Sequence, residues 1–147
     1  MKVYQSKYDK LSGTSRDEVM KDARKTYHII QKHTKRQPYV RSVYFRKDKI
    51  FINTFWHHLA QKRRSDQVRR LKFYPCAIDL LRHTRFDSDT ILKAKKLDEL
   101  LHRFAGKSKD GELFYVQVKQ NKKSGRKDFI SVFPGEELPK RKRPSAG

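Results

Sequence analysis

The fold is decided by the stretch ELFYVQVKQNKKSGRKDFISVFP, residues 112–134. Its two ends are rich in β-branched and aromatic residues, and the segment NKKSG between them has the composition of a turn. We therefore predict two antiparallel strands, residues 112–120 and 127–134, joined by a strongly basic turn. The segment ELLHRFAG, residues 99–106, is followed by the Asp-Gly pair of KSKDG and predicts a third strand before them.

Alternation along these strands separates an apolar face from a polar one, because successive side chains in a strand point to opposite faces. The apolar side of the middle strand consists of Phe114, Val116 and Val118. The polar side consists of Tyr115, Gln117 and Lys119. In the last strand, Ser131 lies between Ile130 and Val132 and is predicted to share the polar side. In the first strand, the pattern does not decide whether His102 or Arg103 borders the polar face.

The residues before these strands have mainly helical periodicity. Ser15 followed by Glu18 fits an N-terminal capping box. The apolar residues behind it recur at helical spacing, namely Val19, Ala23, Tyr27 and Ile30. Pro38 ends this helix, and residues 39–53 are predicted to form a hairpin with RKDK as its turn. Three shorter helices are predicted, over residues 55–64, 66–74 and 76–84. Residues 85–96 show no clear period and are predicted to be irregular.

This segregation of helices and strands predicts an α+β fold, with N-terminal helices packed on a small antiparallel sheet and a C-terminal three-stranded meander. Residues 1–134 are predicted to form a single domain in which residues 1–14 are flexible, and residues 135–147 a disordered basic tail. The single cysteine, Cys76, is predicted to be a buried thiol and allows neither an internal disulfide nor a Cys-rich zinc site. The sequence shows no signal peptide and no membrane-spanning apolar run, so we predict a cytoplasmic protein.

Charge is the strongest indication of function. The chain has 37 Lys and Arg residues against 16 Asp and Glu residues, for a formal net charge of +21. Solubility needs only a few net charges, so this imbalance indicates a polyanionic partner, with nucleic acid favoured over a membrane surface. RNA is the favoured ligand, because cations bind phosphates and aromatic rings stack on unpaired bases. The candidate nucleic-acid-binding residues are Lys62, Arg63, Arg64, Arg69, Arg70, Tyr115, Lys122, Lys123, Arg126 and Lys127.

The C-terminal third resembles small nucleases of the barnase, EndoU, colicin and RelE superfamily, especially members borne by phages and mobile elements. The resemblance rests on an Arg-Phe-x-Gly strand, a strand of type F-x-V-x-V and a final Lys…Ser-x-Phe-Pro strand, which here are residues 103–106, 114–118 and 127–134. It implies a metal-independent endoribonuclease of toxin or phage-effector type that cuts tRNA or mRNA. It also implies binding of a phosphate or of the transition state by Arg103, Lys119, Lys127 and Ser131.

Metal-free RNA cleavage needs a base for the 2′-hydroxyl, an acid for the leaving oxygen and cations for the charged transition state. His102 is the first candidate for the acid or base, and His58 with Lys62, one helical turn away, is the second. Adjacent helical positions such as His57 and His58 point about 100° apart, so no metal site is predicted, and no cofactor is expected.

Two alternatives remain open from the sequence. The chain could be a non-catalytic nucleic-acid-binding accessory protein of a mobile element, or a basic protein associated with ribosomes. A toxin, by contrast, would need a neutralising immunity or antitoxin protein. That partner is expected to be acidic, because its charge would have to match this basic surface.

Overall fold

The computed structural model describes residues 2–92 and 98–135. Within these ranges the strands are β1 Tyr4–Gln5, β2 Tyr39–Ser42, β3 Asp48–Phe51, β4 Asp89–Leu92, β5 Glu99–Lys107, β6 Leu113–Asn121 and β7 Lys127–Pro134. The helices are α1 Arg16–Lys32, α2 Thr54–Ala60, α3 Arg64–Leu71 and α4 Tyr74–His83. The predicted α+β class is confirmed. The predicted basic tail falls, apart from Gly135, outside the described residues.

All the strands belong to one sheet, which is larger than predicted and mixed rather than antiparallel. The strand order is β1-β5-β6-β7-β3-β2, and β4 pairs with the first half of β5. The pairs β5–β6 and β6–β7 are antiparallel. However, β1 lies parallel to β5, and β3 lies parallel to β7. The sequence did not reveal these two parallel pairings, because each joins segments that are far apart in the chain.

One face of the sheet, here called the inner face, packs on the helices. The apolar residues that alternate along β6 are fully buried on this face, as the sequence predicts: Phe114, Val116 and Val118. The ring of Phe129 in β7 stacks on Phe55 of α2, with 4.8 Å between the ring centroids. The opposite side of β5, β6 and β7, here called the outer face, therefore points away from the helices.

A β-bulge in β7 changes the predicted alternation of its side chains. Gln117 of β6 pairs with Ser131, but the next residue, Val118, pairs with Phe129, so Ile130 is the extra residue. A bulge of this kind redirects the side chains on either side of it. Phe129 consequently joins the inner face, whereas simple alternation would place it beside Ser131 on the outer face.

Helix α1 begins where the sequence predicts. The Oγ atom of Ser15 accepts a hydrogen bond from the backbone N–H of Glu18 at 3.2 Å, which satisfies one of the free amides at the helix start. The buried residues of this helix are the four predicted ones, Val19, Ala23, Tyr27 and Ile30. The helix therefore lies on the core, and its cations Lys21, Lys25 and Lys32 are exposed.

The shorter elements differ from the prediction at their ends. Helix α2 ends at Ala60 rather than residue 64, and α3 has Arg63 instead of Ser65 at its N-cap position. Pro75 lies in the first turn of α4, where proline is tolerated because that amide needs no helical partner. Residues 89–92, predicted to be irregular, form β4 against β5. Residues 93–97 of the same predicted segment lie outside the described residues.

The turn of the hairpin covers residues 43–47 and so begins three residues before the predicted RKDK segment, residues 46–49, while Asp48 already belongs to β3. Two aromatic residues in this turn explain the shift. Tyr44 and Phe45 pack on Phe104 of β5, with ring centroids 5.1 and 6.1 Å away. The turn therefore covers a part of the inner face, near one end of the sheet, that the helices do not cover.

Gly106 is required by a close approach between β5 and the core. A Cβ atom at this position would lie 2.6 Å from Phe114 Cζ and 2.8 Å from Leu80 Cδ1. Gly106→Ala is therefore expected to lower the free energy of unfolding by about 1–3 kcal/mol, as overpacking does, in urea denaturation. In Gly106→Ala/Phe114→Leu the ring is removed, so the losses of the two single variants should not add. Additive losses would show that this contact does not explain the glycine.

Candidate nucleic-acid interface

The outer face carries a group of polar side chains, which we define as Arg103, Tyr115, Gln117, Lys119 and Ser131. Gln117 of β6 lies between Arg103 of β5 and Ser131 of β7 in the strand register. Tyr115 and Lys119 flank Gln117 on the same strand, two residues away on either side, and so share its face. All five residues are partly exposed. The structure thus brings together four of the site residues that the sequence predicts and adds Gln117.

These side chains present several hydrogen-bond donors on one surface. Among the described residues, Arg103 Nε has no hydrogen-bond partner, although the atom is buried. Lys119 Nζ lies 3.9 Å from the carboxylate of Glu99, and Ser131 Oγ lies 3.5 Å from Gln117 Oε1. Guanidinium, ammonium, amide and hydroxyl donors are the groups that bind phosphate and sugar oxygens. The outer face therefore suits an extended anionic ligand with many acceptors.

The edge of β7 beyond β3 is covered by α2 and α3. Because β3 pairs only with Lys127 and Asp128, the rest of this edge faces the two helices. Arg70 of α3 donates to the backbone oxygen of Val132 at 3.4 Å, and its guanidinium lies 5.6 Å from the ring centroid of Phe133. Arg70 thus fastens α3 to the strand edge and reaches the outer side of the sheet.

A small cleft lies where these helices meet β7, and we call it the edge cleft. Its volume is only about 10 Å³, and its lining is mainly apolar, with the bulged residue Ile130 as one wall. The polar residues that contribute to the lining are His58, Lys62, Arg70 and Ser131. Ser131 belongs both to the edge cleft and to the outer face, so the two form one continuous surface. The sequence suggested each of these four polar residues, but it did not indicate that they meet.

His102, the first candidate for an acid or base, lies on the inner face. It is 7% exposed, and the ring of Phe45 covers it at a centroid distance of 5.1 Å. Its Nε2 donates to Gln120 Oε1 at 2.8 Å, and its Nδ1 accepts from Thr90 Oγ1 at 3.0 Å. Burial is the main cause that holds the pKa of His102 below its usual value, with a further contribution from the nearby charge of Lys127. Both ring nitrogens are therefore occupied in a neutral imidazole.

Lys127 lies on the same side of the sheet as His102. Its Nζ donates to Asp48 Oδ2 at 2.7 Å and to the backbone oxygen of Gly125 at 2.9 Å. The hydrogen bond from Lys127 is the main cause that holds the pKa of Asp48 below its usual value. The residues predicted to act in catalysis or to bind the phosphate are consequently divided by the sheet. His102 and Lys127 lie on the inner side, and the others lie on the outer face or in the edge cleft, namely Arg103, Lys119, Ser131 and His58.

The remaining predicted cations lie at two ends of the outer surface. Near the edge cleft are Arg63, Arg64 and Arg69. In the turn between β6 and β7 are Lys122, Lys123 and Arg126. Arg126 binds Asp128 at 3.2 Å and Gln37 at 2.7 Å, and Arg69 binds Asp66 at 3.2 Å, so both guanidinium groups have protein partners. Lys122 and Lys123 are exposed.

The hairpin adds a group of residues that the sequence analysis missed, namely Tyr39, Arg41, Lys49 and Phe51. The register places Tyr39 beside Phe51, and Phe51 beside Asp128 of β7, so these side chains continue the outer side. Lys49 Nζ lies 4.6 Å from the ring centroid of Tyr39. The alternating cations and aromatics of this hairpin are visible in the sequence, but their position beside β7 depends on a long-range parallel pairing.

The stability of the fold is expected to depend on pH through His102. Because its folded-state pKa lies below the usual 6.5, the unfolded chain gains a proton first as the pH falls. The stabilising contribution is therefore complete above the unfolded pKa and is lost as the pH falls toward the folded-state pKa. Urea denaturation between about pH 5 and pH 8 measures this loss. The His102→Gln variant should lack it, and the exposed-site variant His57→Gln should keep it; the same pH profile in all three proteins would refute this assignment.

The groups that this surface offers to a ligand are cations and amide and hydroxyl donors. In the described parts of the chain, no three His, Cys, Asp or Glu side chains are placed to hold a metal ion together. No helix of these parts has both the length and the apolar character needed to cross a membrane. Comparisons of the chain with protein-family models, curated proteins and solved structures found no match in any of the three.

Proposed function

We propose that the protein binds a single strand of RNA across the outer face and the edge cleft. The observation that carries this proposal is that Arg103, Tyr115, Lys119 and Ser131 share one partly exposed face. This face continues into the edge cleft, which is also lined by Lys62 and by Arg70, whose guanidinium is paired with Asp66 at 3.1 Å. An RNA strand supplies phosphates for the cations, and 2′-hydroxyls and base edges for the amide and hydroxyl groups.

A single strand fits this surface better than a duplex. Recognition of single strands combines a basic surface with aromatic rings and side-chain donors, and sheet faces provide this arrangement in several RNA-binding modules. Tyr115 lies two residues from Gln117 on the same face and is partly exposed, so one base can contact its ring. The net charge of +21 supports a polyanionic ligand of this kind.

The proposal is tested by fluorescence anisotropy with a short labelled single-stranded RNA at several salt concentrations. If about four phosphates are neutralised, the logarithm of the affinity should fall with the logarithm of the salt concentration with a slope of about −3. An RNA duplex of the same length and an acidic polypeptide are the controls, and both should bind more weakly. A flat salt dependence, or equal binding of the acidic polypeptide, would overturn the proposal.

A second candidate function is cleavage of the bound strand, which would make the protein a metal-independent endoribonuclease of toxin or phage-effector type acting on tRNA or mRNA. The observation that favours it is the edge cleft, whose lining residues include His58, Lys62, Arg70 and Ser131. The superfamily resemblance of the C-terminal third implies the same activity, but it does not point to His58.

The groups of the edge cleft match the needs of that reaction. His58 would take the proton of a ribose 2′-hydroxyl, and the 2′-oxygen would attack the adjacent phosphorus. The bond from phosphorus to the 5′-oxygen would break, and the ammonium of Lys62 would protonate the leaving oxygen. Arg70 would stabilise the charged phosphorane. The products would be one strand with a 2′,3′-cyclic phosphate and one with a 5′-hydroxyl.

Incubation of the protein with total tRNA in EDTA separates the candidate functions. Discrete fragments ending in cyclic phosphate would support cleavage. Intact RNA with retained binding would leave binding as the function, as in an accessory protein of a mobile element. Co-sedimentation with ribosomes without cleavage would support a ribosome-associated role instead.

A further inference from the structure

An apolar groove lies on the helical side of the molecule, between the N-terminal segment, α1 and α4. Its volume is about 320 Å³, and its apolar lining consists of Tyr8, Ile29, Ile30, Pro75 and Ile78. Tyr8 and Ile29 are 46% and 60% exposed, and among the described residues they are the large hydrophobic side chains that remain exposed. Both lie in this one groove, so the exposed large hydrophobic side chains of the described chain are concentrated there.

The buried carboxylate that lines the groove is already satisfied by the protein. The carboxylate of Asp79 is only 1% exposed. Its oxygens accept hydrogen bonds from the hydroxyls of Tyr4 and Ser6 at 3.0 and 2.8 Å, and from the backbone N–H of Lys7 at 3.1 Å. His83 Nδ1 lies 3.0 Å from the same carboxylate. A ligand in the groove therefore meets apolar surface rather than an unpaired carboxylate.

The rim of the groove is positively charged. Lys7 and Arg82 both line the groove and are exposed. In the part of the chain that the structure describes, neither side chain forms an ion pair with a carboxylate. An apolar centre with a cationic rim is complementary to an apolar side chain flanked by acidic residues.

We propose that this groove docks an acidic segment of a partner protein, which inserts a large apolar side chain between Tyr8 and Ile29. A second copy of the chain is a poor occupant, because each copy carries a net charge of +21 and the rims would repel each other. A bilayer is also a poor occupant, because Tyr8 and Ile29 line a concave site, whereas a flat lipid surface is bound by protruding side chains.

This inference goes beyond RNA binding, because it concerns a different side of the molecule. The groove is formed by α1, α4 and the N-terminal segment, and the outer face points away from the helices. A protein docked in the groove would leave Tyr115 and Lys119 uncovered. The partner is therefore expected to bind without displacing RNA.

The test is selection of peptides from a random phage-displayed library on the wild-type protein, with counter-selection on Ile29→Arg. Ile29 is exposed, so this variant should fold, and Tyr8→Arg provides a second variant on another element. Gln31→Arg is the matched control, because it adds the same charge at an exposed position of α1 that does not line the groove. The selected peptides should be rich in Asp and Glu around a large apolar residue. Their affinity for the control variant should equal that for the wild type, and their affinity for each of the two groove variants should be at least tenfold lower.

Other outcomes would overturn the proposal. Peptides that bind all variants equally would show attraction by net charge alone, and peptides without acidic residues would refute the stated partner chemistry. No enrichment over the starting library would show that the groove has no affinity for such segments. If the wild-type protein bound vesicles of phosphatidylserine and phosphatidylcholine and Ile29→Arg did not, the groove would be assigned to a membrane surface. RNA affinity of Ile29→Arg should equal that of Gln31→Arg, and this readout separates a failure of the groove from a failure of the RNA proposal.

Discussion

Replacement of Lys62, Lys119 and Lys122 by glutamine is expected to lower the affinity for single-stranded RNA roughly 50-fold at about 0.15 M salt. Lys62 lies in the edge cleft, Lys119 on the outer face and Lys122 in the turn between β6 and β7. If each contacts one phosphate, the slope of log affinity against log salt should also become shallower by about 2. Fluorescence anisotropy across a salt series measures both quantities.

The control removes the same charge from another part of the surface. Lys21, Lys25 and Lys32 are exposed on α1, and their replacement by glutamine lowers the net charge equally. If the outer face and the edge cleft hold the strand, this control should lose only a few-fold in affinity, through long-range attraction, and keep its salt slope. Equal losses in both variants would mean that RNA binds the whole basic surface without a defined site.

The His58→Gln variant is expected to lose about 10²–10⁴-fold in the rate of RNA cleavage, the usual contribution of a general acid or base. Its RNA affinity should stay close to that of the wild type, because glutamine retains a polar side chain of similar size. The rate is measured with excess enzyme over a single RNA substrate in EDTA, so that binding and chemistry are separated.

Two further histidine variants identify the site of the chemistry. His57→Gln changes the neighbouring exposed residue of α2, and His102→Gln changes the buried residue on the inner face. Cleavage at the edge cleft predicts near-normal rates of RNA cleavage near neutral pH for both variants. A loss confined to His102→Gln would move the chemistry to the inner face and contradict the assignment to His58.

The sequence correctly predicts which side chains are buried in elements that have one apolar face and one polar face. The four apolar residues of α1 and the alternation along β6 both give the observed burial. In these elements a single local pattern determines the exposed side, because no distant residue competes with it. On this basis the outward direction of every residue of the outer face except Arg103 could be predicted.

The position of His102 could not be predicted, because it depends on residues from three other segments. Thr90 of β4 and Gln120 of β6 satisfy both ring nitrogens, and Phe45 of the hairpin turn covers the ring. A buried polar side chain is tolerated when its hydrogen bonds are made. The side chain of His102 can therefore point to the inner face, which leaves Arg103 on the outer face. The local sequence was equally compatible with the opposite arrangement.

The edge cleft could not be predicted for a different reason. It exists because β3 pairs with only two residues of β7 and because Ile130 forms a bulge there. The bulge allows Phe129 to face the helices while Ser131 faces outward, which a regular strand would not permit. Neither feature has a signature in the local sequence, although each of the polar residues in the cleft could be proposed individually.

The parallel pairing of β3 with β7 also has a consequence for synthesis on the ribosome. The hairpin of β2 and β3 emerges early, but its neighbour in the sheet spans residues 127–134 and is translated after all the other described strands. Until β7 has been synthesised, the second edge of β3 has no neighbouring strand, and Ser131 is not yet part of the chain. A nascent chain therefore cannot assemble the outer face and the edge cleft until β7 has left the exit tunnel.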